Sequence, residues 1–312
     1  MRTVKAFLRD WSMLIVFAAM FVILAVVTKG VFLQKNNLLN LLSQNALIGV
    51  LAIGQFLVIL TGGIDLSVGS MLMVSSIAYV YFQQLGVAGS MAFAVFTGAF
   101  FGVLNGLSVT KFKINAFITT LASMQIARGI GFISVNGQPI FNIRPEFLTL
   151  GSTKYFQVSA QVYIWLALVI VGMVILNKSR WGVALYCTGG SRDASRLSGI
   201  KTDRVILSAY ALSGALCGVG GILYTSRLAL ADPTIGGAMN MDSITAVVIG
   251  GASLAGGQGK LFNTIIGVLV LGMLNNFMNI IGISSTMHVG IKGFILVVMV
   301  LLNNATLLKK DS

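Results

Sequence analysis

An all-α, polytopic membrane fold is what this sequence predicts, and three observations carry the prediction. Only 9% of its 312 residues are charged, against roughly 25% in a typical soluble chain, which leaves too little polar side chain to cover a water-facing surface. Hydrophobic residues make up 56%. They also fall in blocks of about the ~20 residues that cross a ~30 Å hydrocarbon core as helix. Soluble enzymes, nucleic-acid modules and disordered tails are thereby excluded.

The first block runs from Trp11 to Thr28 behind the basic residues Arg2, Lys5 and Arg9. It exceeds a signal-peptide core, and more apolar spans follow in place of a cleavage site and a polar mature chain, so it reads as a retained helix. Nine further blocks cover Ser43–Leu60, Ser67–Phe82, Val87–Thr110, Ile114–Val135, Gln161–Asn177, Val205–Ser226, Ser243–Ala255, Phe262–Ile281 and Val289–Leu302. The blocks beginning at Ser67 and Ser243 are short and bordered by glycine, which predicts broken, tilted or re-entrant segments.

Ten crossings with a cytoplasmic start place fourteen of the 21 Lys and Arg residues inside: Arg2, Lys5, Arg9, Lys111, Lys113, Lys178, Arg180, Arg192, Arg196, Lys201, Arg204, Lys260, Lys309 and Lys310. Five fall outside (Lys29, Lys35, Arg144, Lys154, Arg227), and Arg128 and Lys292 lie within spans. That bias puts both termini in the cytoplasm and accounts for the net charge of +13 without nucleic acid. Each half of five spans contains one glycine-broken segment, and an odd number of spans per half makes any 5+5 repeat an inverted one.

Ionisable side chains at membrane depth need a partner, water or a helix end. Asp65 lies in Leu60-Thr-Gly-Gly-Ile-Asp-Leu-Ser-Val-Gly69, where Gly62, Gly63 and Gly69 let one helix stop and another begin. Asp65 or Ser67 then caps the second helix, and contact of Asp65 with a translocated solute is the other reading. Amides recur within the spans: Asn45, Gln55, Asn105, Asn115, Gln125, Asn275, Asn276 and Asn279, among 36 glycines. Each amide serves helix packing or a polar path. Together they fit a neutral, hydroxyl-rich solute, because a charged one calls for more counter-charge than these spans carry.

Enzymatic chemistry finds no support. One histidine, His288, cannot make a paired-histidine zinc site, and no serine-nucleophile or paired intramembrane aspartate pattern occurs. Two cysteines, Cys187 and Cys217, make no disulfide framework. The stretch Ile249-Gly-Gly-Ala-Ser-Leu-Ala-Gly-Gly-Gln-Gly-Lys260 ends in Gly-Lys like a phosphate-binding loop, but Ala255 and Leu261 stand where that loop needs glycine and Ser or Thr. No ATP site or other cofactor site is therefore expected in this chain.

Residues 178–204 form the longest cytoplasmic segment. Within Gly189-Gly-Ser-Arg-Asp-Ala-Ser-Arg-Leu-Ser-Gly-Ile200 the residue types predict a short helix, with Ser191 as cap, Asp193 in its first turn, Arg196 and Leu197 later, and Gly199 as terminator. Such a helix suits docking into another protein, and a basic loop resting on anionic lipid headgroups is the alternative.

The 189–200 and 60–69 stretches resemble the membrane subunits of ribose-type monosaccharide ABC importers. So do Asn115-Ala-Phe-Ile-Thr-Thr-Leu121 with Ala127-Arg-Gly129, Asn136-Gly-Gln-Pro-Ile140, Ala246-Val-Val-Ile-Gly-Gly-Ala-Ser-Leu-Ala-Gly-Gly-Gln-Gly259 and Leu274-Asn-Asn-Phe277. The resemblance covers nearly the whole chain, which then reads as one transmembrane permease domain over 1–312 in the bacterial inner membrane. It implies pairing with a second copy or a paralogue, two cytoplasmic ATPase subunits that hold ATP and magnesium, and a periplasmic sugar-binding protein. It also implies a coupling helix for the ATPase at Gly190, Arg192, Asp193, Arg196, Leu197 and Gly199. The expected substrate pathway takes in Gly62, Gly63, Asp65, Ser67, Asn115, Asn275 and Asn276. Asn240 stands where many members have Glu, and Asn115 with Ala116 replaces a frequent Pro-Pro, departures that bear on substrate subtype. Branched-chain amino-acid permeases share the architecture, so an amino acid is the alternative cargo and an ion-coupled transporter the alternative mechanism.

Overall fold

A computed structural model describes the chain from residue 4 to residue 308, with side-chain surroundings for most of 13–298. Arg2, Lys309 and Lys310, which the charge count used, lie outside the described residues. The helices in order are α1 (Val4–Val27), α2 (Lys35–Leu60), α3 (Val68–Tyr81), α4 (Gly86–Thr110), α5 (Ala116–Ser134), α6 (Thr149–Ser152), α7 (Ala160–Lys178), α8 (Arg180–Gly190), α9 (Arg192–Leu197), α10 (Thr202–Leu228), α11 (Met239–Ile249), α12 (Leu261–Ile280) and α13 (Ser285–Leu308). A two-residue hairpin, β1 (Lys154–Tyr155) and β2 (Val158–Ser159), joins α6 to α7. The chain is a polytopic all-α membrane protein.

Among the described residues, six helices are long and apolar enough to cross a membrane: α2, α4 with its preceding turn, α5, α7, α10 and α12. Four shorter apolar stretches lie in α1, α3, α11 and α13. Each apolar run of the sequence thus overlaps a helix. At 1.5 Å per residue, α3 and α11 reach only ~21 and ~16 Å, short of the ~30 Å core, so both are broken segments as the glycines predicted. Two boundaries differ. α2 begins at Lys35, eight residues before Ser43, because Asn36, Asn37 and Asn40 interrupt hydropathy without interrupting helix. α11 starts at Met239 and ends at Ile249, so Gly250–Lys260 is loop and not the end of a span.

Helices that are apolar on every side are enclosed on every side. From Asn45 to Leu60, α2 is buried apart from Ile48, and α3 is buried from Val68 to Val80. α10 packs against α2, α3 and α4, while α11 packs against α2, α12 and α13. The outer helices keep an apolar face outward, with Phe96 on α4, Ile133 on α5 and Ile170 on α7 exposed. In lipid that face needs no cover.

Small residues set the tightest helix contact. Gly98, Gly102 and Gly106 recur every fourth residue of α4 and meet Gly214, Tyr210 and Leu207 of α10. A Cβ at Gly98 or Gly102 would overlap backbone atoms of α10, so the helices approach closely only while these residues lack side chains. We expect Gly102→Leu to lower the unfolding free energy of the detergent-solubilised protein by at least ~1–3 kcal/mol, the usual overpacking range. Denaturant unfolding in micelles checks this, and an unchanged midpoint would mean the helices can separate freely.

Both broken helices begin inside the bundle, where their approach segments touch. Gly69, in the first turn of α3, lies against Gly236, whose φ is +93°. A Cβ on either would overlap the other's backbone. Asn240 in the first turn of α11 donates to the Leu66 carbonyl at 3.2 Å. Irregular backbone is tolerated at such depth only where protein satisfies it. Gln55 does so for Asp65 once its amide is oriented to match its neighbours, with Nε2 donating to the Asp65 carbonyl (3.0 Å) and Oε1 accepting from the Asp65 N–H (3.2 Å).

Candidate functional site

The short helix predicted after Gly190 is present. Gly190 ends α8, and the Ser191 hydroxyl accepts from the Ala194 N–H at 3.3 Å, capping α9. Asp193 occupies the first turn. Gly199, at φ +84°, closes the helix as its N–H bonds the Arg196 carbonyl (2.9 Å) and the Ile200 N–H bonds that of Ser195 (3.0 Å). That geometry is the left-handed terminator that glycine makes cheaply.

Arg196 does something the sequence did not reveal. Its Nε donates to Thr202 Oγ1 (3.0 Å) and its Nη2 to Asp203 Oδ1 (2.9 Å), so it orients α9 on the first turn of α10. Lys113 approaches the other Asp203 oxygen at 3.6 Å. These half-exposed pairs are each worth ~0–1 kcal/mol, and their use is geometric. Leu197 projects free, 91% exposed.

α8 leans on the bundle through glycine. Gly189 packs against the Leu60 carbonyl at the end of α2 and against Gly257 of the 250–260 loop. Gly257 N–H donates to the same carbonyl (2.9 Å), and the Tyr186 hydroxyl donates to the Gly259 carbonyl (3.0 Å). The helix-breaking loop after α11 is thus the platform for the 178–204 segment.

Beside it opens a cavity of about 430 Å³ lined by Gly62, Ile64, Lys113, Asn115, Phe117 and Arg192, among others. Asn115 also caps α5, its Oδ1 accepting from the Phe117 N–H at 2.8 Å. Deeper in, Asp65 and Ser67 are fully buried. One Asp65 oxygen accepts from the Ser67 N–H (2.9 Å) and the Ser67 hydroxyl, while Asn105 Nδ2 donates to that hydroxyl (2.9 Å). Asp65 Oδ2 has no hydrogen-bond partner, nor has the Tyr210 hydroxyl that packs beside Gly63. The carboxylate therefore organises the turn into α3 from an enclosed position. We expect Asp65→Ala to lower the unfolding free energy by about 1–3 kcal/mol by stranding the Ser67 donors. Asp65→Asn, which keeps an acceptor, should lose less; equal losses in micellar unfolding would count against this role.

The expected pathway residues fall in two places. Gly62, Gly63, Asp65, Ser67 and Asn115 gather near the α8–α9 end. Asn275 lines a separate cavity at the other end of α12. Asn276 closes a reciprocal amide pair with Asn37 of α2, at 3.0 and 2.7 Å. Of the other ionisable groups in the spans, Lys292 Nζ on α13 bonds both Asp242 oxygens on α11 (2.9 and 3.0 Å). No spacing rule joins residues fifty apart, so this pair was invisible in the sequence.

A polytopic helical bundle with broken inner helices and a projecting helical segment at one end has the form of a transport permease. The chain matches, over residues 37–300, the family described as branched-chain amino acid transport system / permease component. It belongs to that family. It is 36% identical over 306 residues to the ribose import permease protein of Escherichia coli (strain K12), covering 96% of this chain and 95% of that protein. Identity to the ribose import permease protein of Bacillus subtilis (strain 168) is 38% over 293 residues, covering 92% and 91%. The L-arabinose transport system permease protein of Escherichia coli (strain K12) is 32% identical over 296 residues, covering 94% and 89%. These relatives bear out the resemblance to ribose-type sugar ABC permeases. No solved structure matches the chain.

Proposed function

We propose that this chain is the membrane permease subunit of an ATP-driven importer that carries a monosaccharide, pentose or hexose, across the bacterial inner membrane. Two permease chains, identical or paralogous, enclose the path. Separate ATPase subunits dock on the 178–204 segment, and a periplasmic binding protein delivers the sugar at the opposite face. Both termini lie in the cytoplasm with that segment. The permease itself is a conduit and catalyses no bond chemistry.

One observation supports the mechanism: α8, which leads directly into α9, touches the break points of both short helices. Gly189 abuts Leu60, where α2 gives way to the 61–67 turn, and Gly257, in the loop after α11. Arg192 and Gly62 line one cavity. A displacement of α9 by a docked ATPase therefore reaches the inner ends of the path without crossing the bundle. Biasing a two-state element this way needs only a difference in ATPase affinity between its states.

Reconstituting the permease with its partner ATPase and binding protein tests the reading. The expected result is ATP-dependent uptake of a labelled pentose or hexose that leucine does not inhibit and an ionophore does not abolish. Uptake of leucine instead would reassign the cargo. Uptake that ignores ATP and collapses with the ionophore would reassign the mechanism.

A further inference from the structure

The hairpin of β1 and β2 carries a side chain that neither its turn nor water favours. Its two loop positions, Phe156 and Gln157, both lie at positive φ (+49° and +69°), the backbone that a tight two-residue loop demands and that asparagine and glycine supply cheaply. A bulky aromatic residue there is a conformational outlier. Phe156 is also 96% exposed. The rest of the hairpin is held firmly. Val158 packs against the core, Ser159 is buried, and the Ala160 N–H closes the base on the Thr153 carbonyl at 3.0 Å.

The place of the hairpin names what surrounds Phe156. α7 has 19 residues, or ~28 Å of helix, about one hydrocarbon thickness, and its far end leads into the cytoplasmic 178–204 segment. The hairpin therefore lies at the extracytoplasmic surface of the bilayer. Along α7 the exposed residues Tyr163, Leu166, Ile170 and Val174 fall three or four apart, in one stripe that is apolar below Tyr163. On a spanning helix that stripe is the lipid-facing side. Tyr163 heads it. Helical side chains lean toward the N-terminus, so its ring covers the first turn of α7. There it meets the Tyr155 ring edge-on at 6.2 Å, and its hydroxyl donates to the Tyr155 carbonyl at 3.0 Å. That bond draws the hairpin down against the lipid-facing side of α7. Tyr155, Phe156 and Tyr163, with the exposed Lys154 beside them, thus gather at the edge of the hydrocarbon, the level at which aromatic rings and snorkelling lysines settle.

We propose that the 154–159 hairpin is a lipid anchor, whose Phe156 enters the interface of the extracytoplasmic leaflet while Tyr155 and Tyr163 stand at headgroup level. The occupant is the lipid surface and not the sugar-binding protein, because the aromatic cluster continues the lipid-facing stripe of α7. Anchoring there fixes the depth of α7, the helix whose other end carries α8 and α9. The assignment needs only that α7 spans the membrane, so it stands apart from the importer reading and from the solute carried.

Phe156→Trp in the full chain, reconstituted in nanodiscs, tests this. Interfacial groups sit ~5–10 Å into the boundary between headgroups and acyl chains, within reach of bromine atoms on those chains. The emission gained over the wild-type protein, which has 3 tryptophans, is expected to fall by about half in brominated phosphatidylcholine and to resist iodide in the buffer. Quenching by iodide without quenching by bromolipid puts the tip in water and overturns the anchor. Protection from iodide that arises only when the sugar-binding protein is added assigns the tip to that partner and overturns it equally. Should tryptophan disturb the turn, Phe156→Cys in a Cys187→Ser background carries a nitroxide, Cys217 being buried. Oxygen, which concentrates in lipid, should then relax the label more than a water-soluble nickel chelate does. Stronger relaxation by the chelate would sink the proposal.

Discussion

Lys292→Met lowers the unfolding free energy of the permease by about 3–5 kcal/mol, the range for removing one partner of a buried ion pair. Lys292 Nζ lies 2.9 and 3.0 Å from the two Asp242 oxygens. The side chains are only 15% and 11% exposed, so water screens the pair little. Without the ammonium, the largely buried Asp242 carboxylate loses its ion-pair partner, in a region where an ionised group is costly even with lipid relaxation. The loss also falls where packing is thin. α13 turns Val289, Phe294, Val297 and Leu301 outward and packs against α11. Removing both charges, as Asp242→Leu with Lys292→Met, should restore most of the stability, because an apolar pair of similar volume substitutes well for a buried ion pair. Denaturant unfolding in micelles of the two single variants and the double variant measures the coupling. Single-variant losses below ~1 kcal/mol would mean the pair behaves as a surface bridge and water reaches it.

How much of this was legible depends on the range of the interaction. The break at Gly62 and Gly63 and the cap and terminator of α9 were readable, because each follows from residues within a few positions of one another. The cap expected of Asp65 or Ser67 is not made, since Ser67 stands at the N-cap of α3 without a side-chain cap bond and Asp65 accepts from the Ser67 N–H instead. Ser191 and Gly199 bracket six helical residues by local backbone chemistry alone. The start of α11 was not readable. Its position is decided by Gly236 against Gly69 and by Asn240 on Leu66, partners well over a hundred residues away. For the same reason the expected pathway residues formed two groups and not one, since spacing says nothing about which end of α12 faces α2. Gln161 stood at the edge of an apolar run and passed for a boundary, whereas it is fully buried. The Gly98, Gly102, Gly106 series carried a signal in its four-residue spacing, the small-residue pattern of close helix pairs. A count of glycines conceals that pattern.

Leu197→Asp abolishes uptake and leaves the fold unchanged. Because Leu197 is 91% exposed, its replacement should alter stability by no more than about 0.5 kcal/mol. An exposed leucine on a short, firmly tethered helix is explained by a partner that buries it. Losing a central apolar anchor typically weakens association by at least ~2 kcal/mol, or about thirtyfold. Arg196→Glu reaches the same end by another route. It sets a carboxylate against Asp203 and breaks the bonds to Thr202 and Asp203 that hold α9 in register with α10. Capture of the ATPase by tagged permease in detergent, uptake in vesicles and the thermal midpoint together separate the causes. Both variants should lose ATPase and transport while keeping their midpoint. If the 178–204 segment merely rests on anionic headgroups, ATPase capture and uptake persist in both, and binding to anionic vesicles changes instead. The leucine substitution decides more sharply, since it alters no basic residue that headgroups would hold.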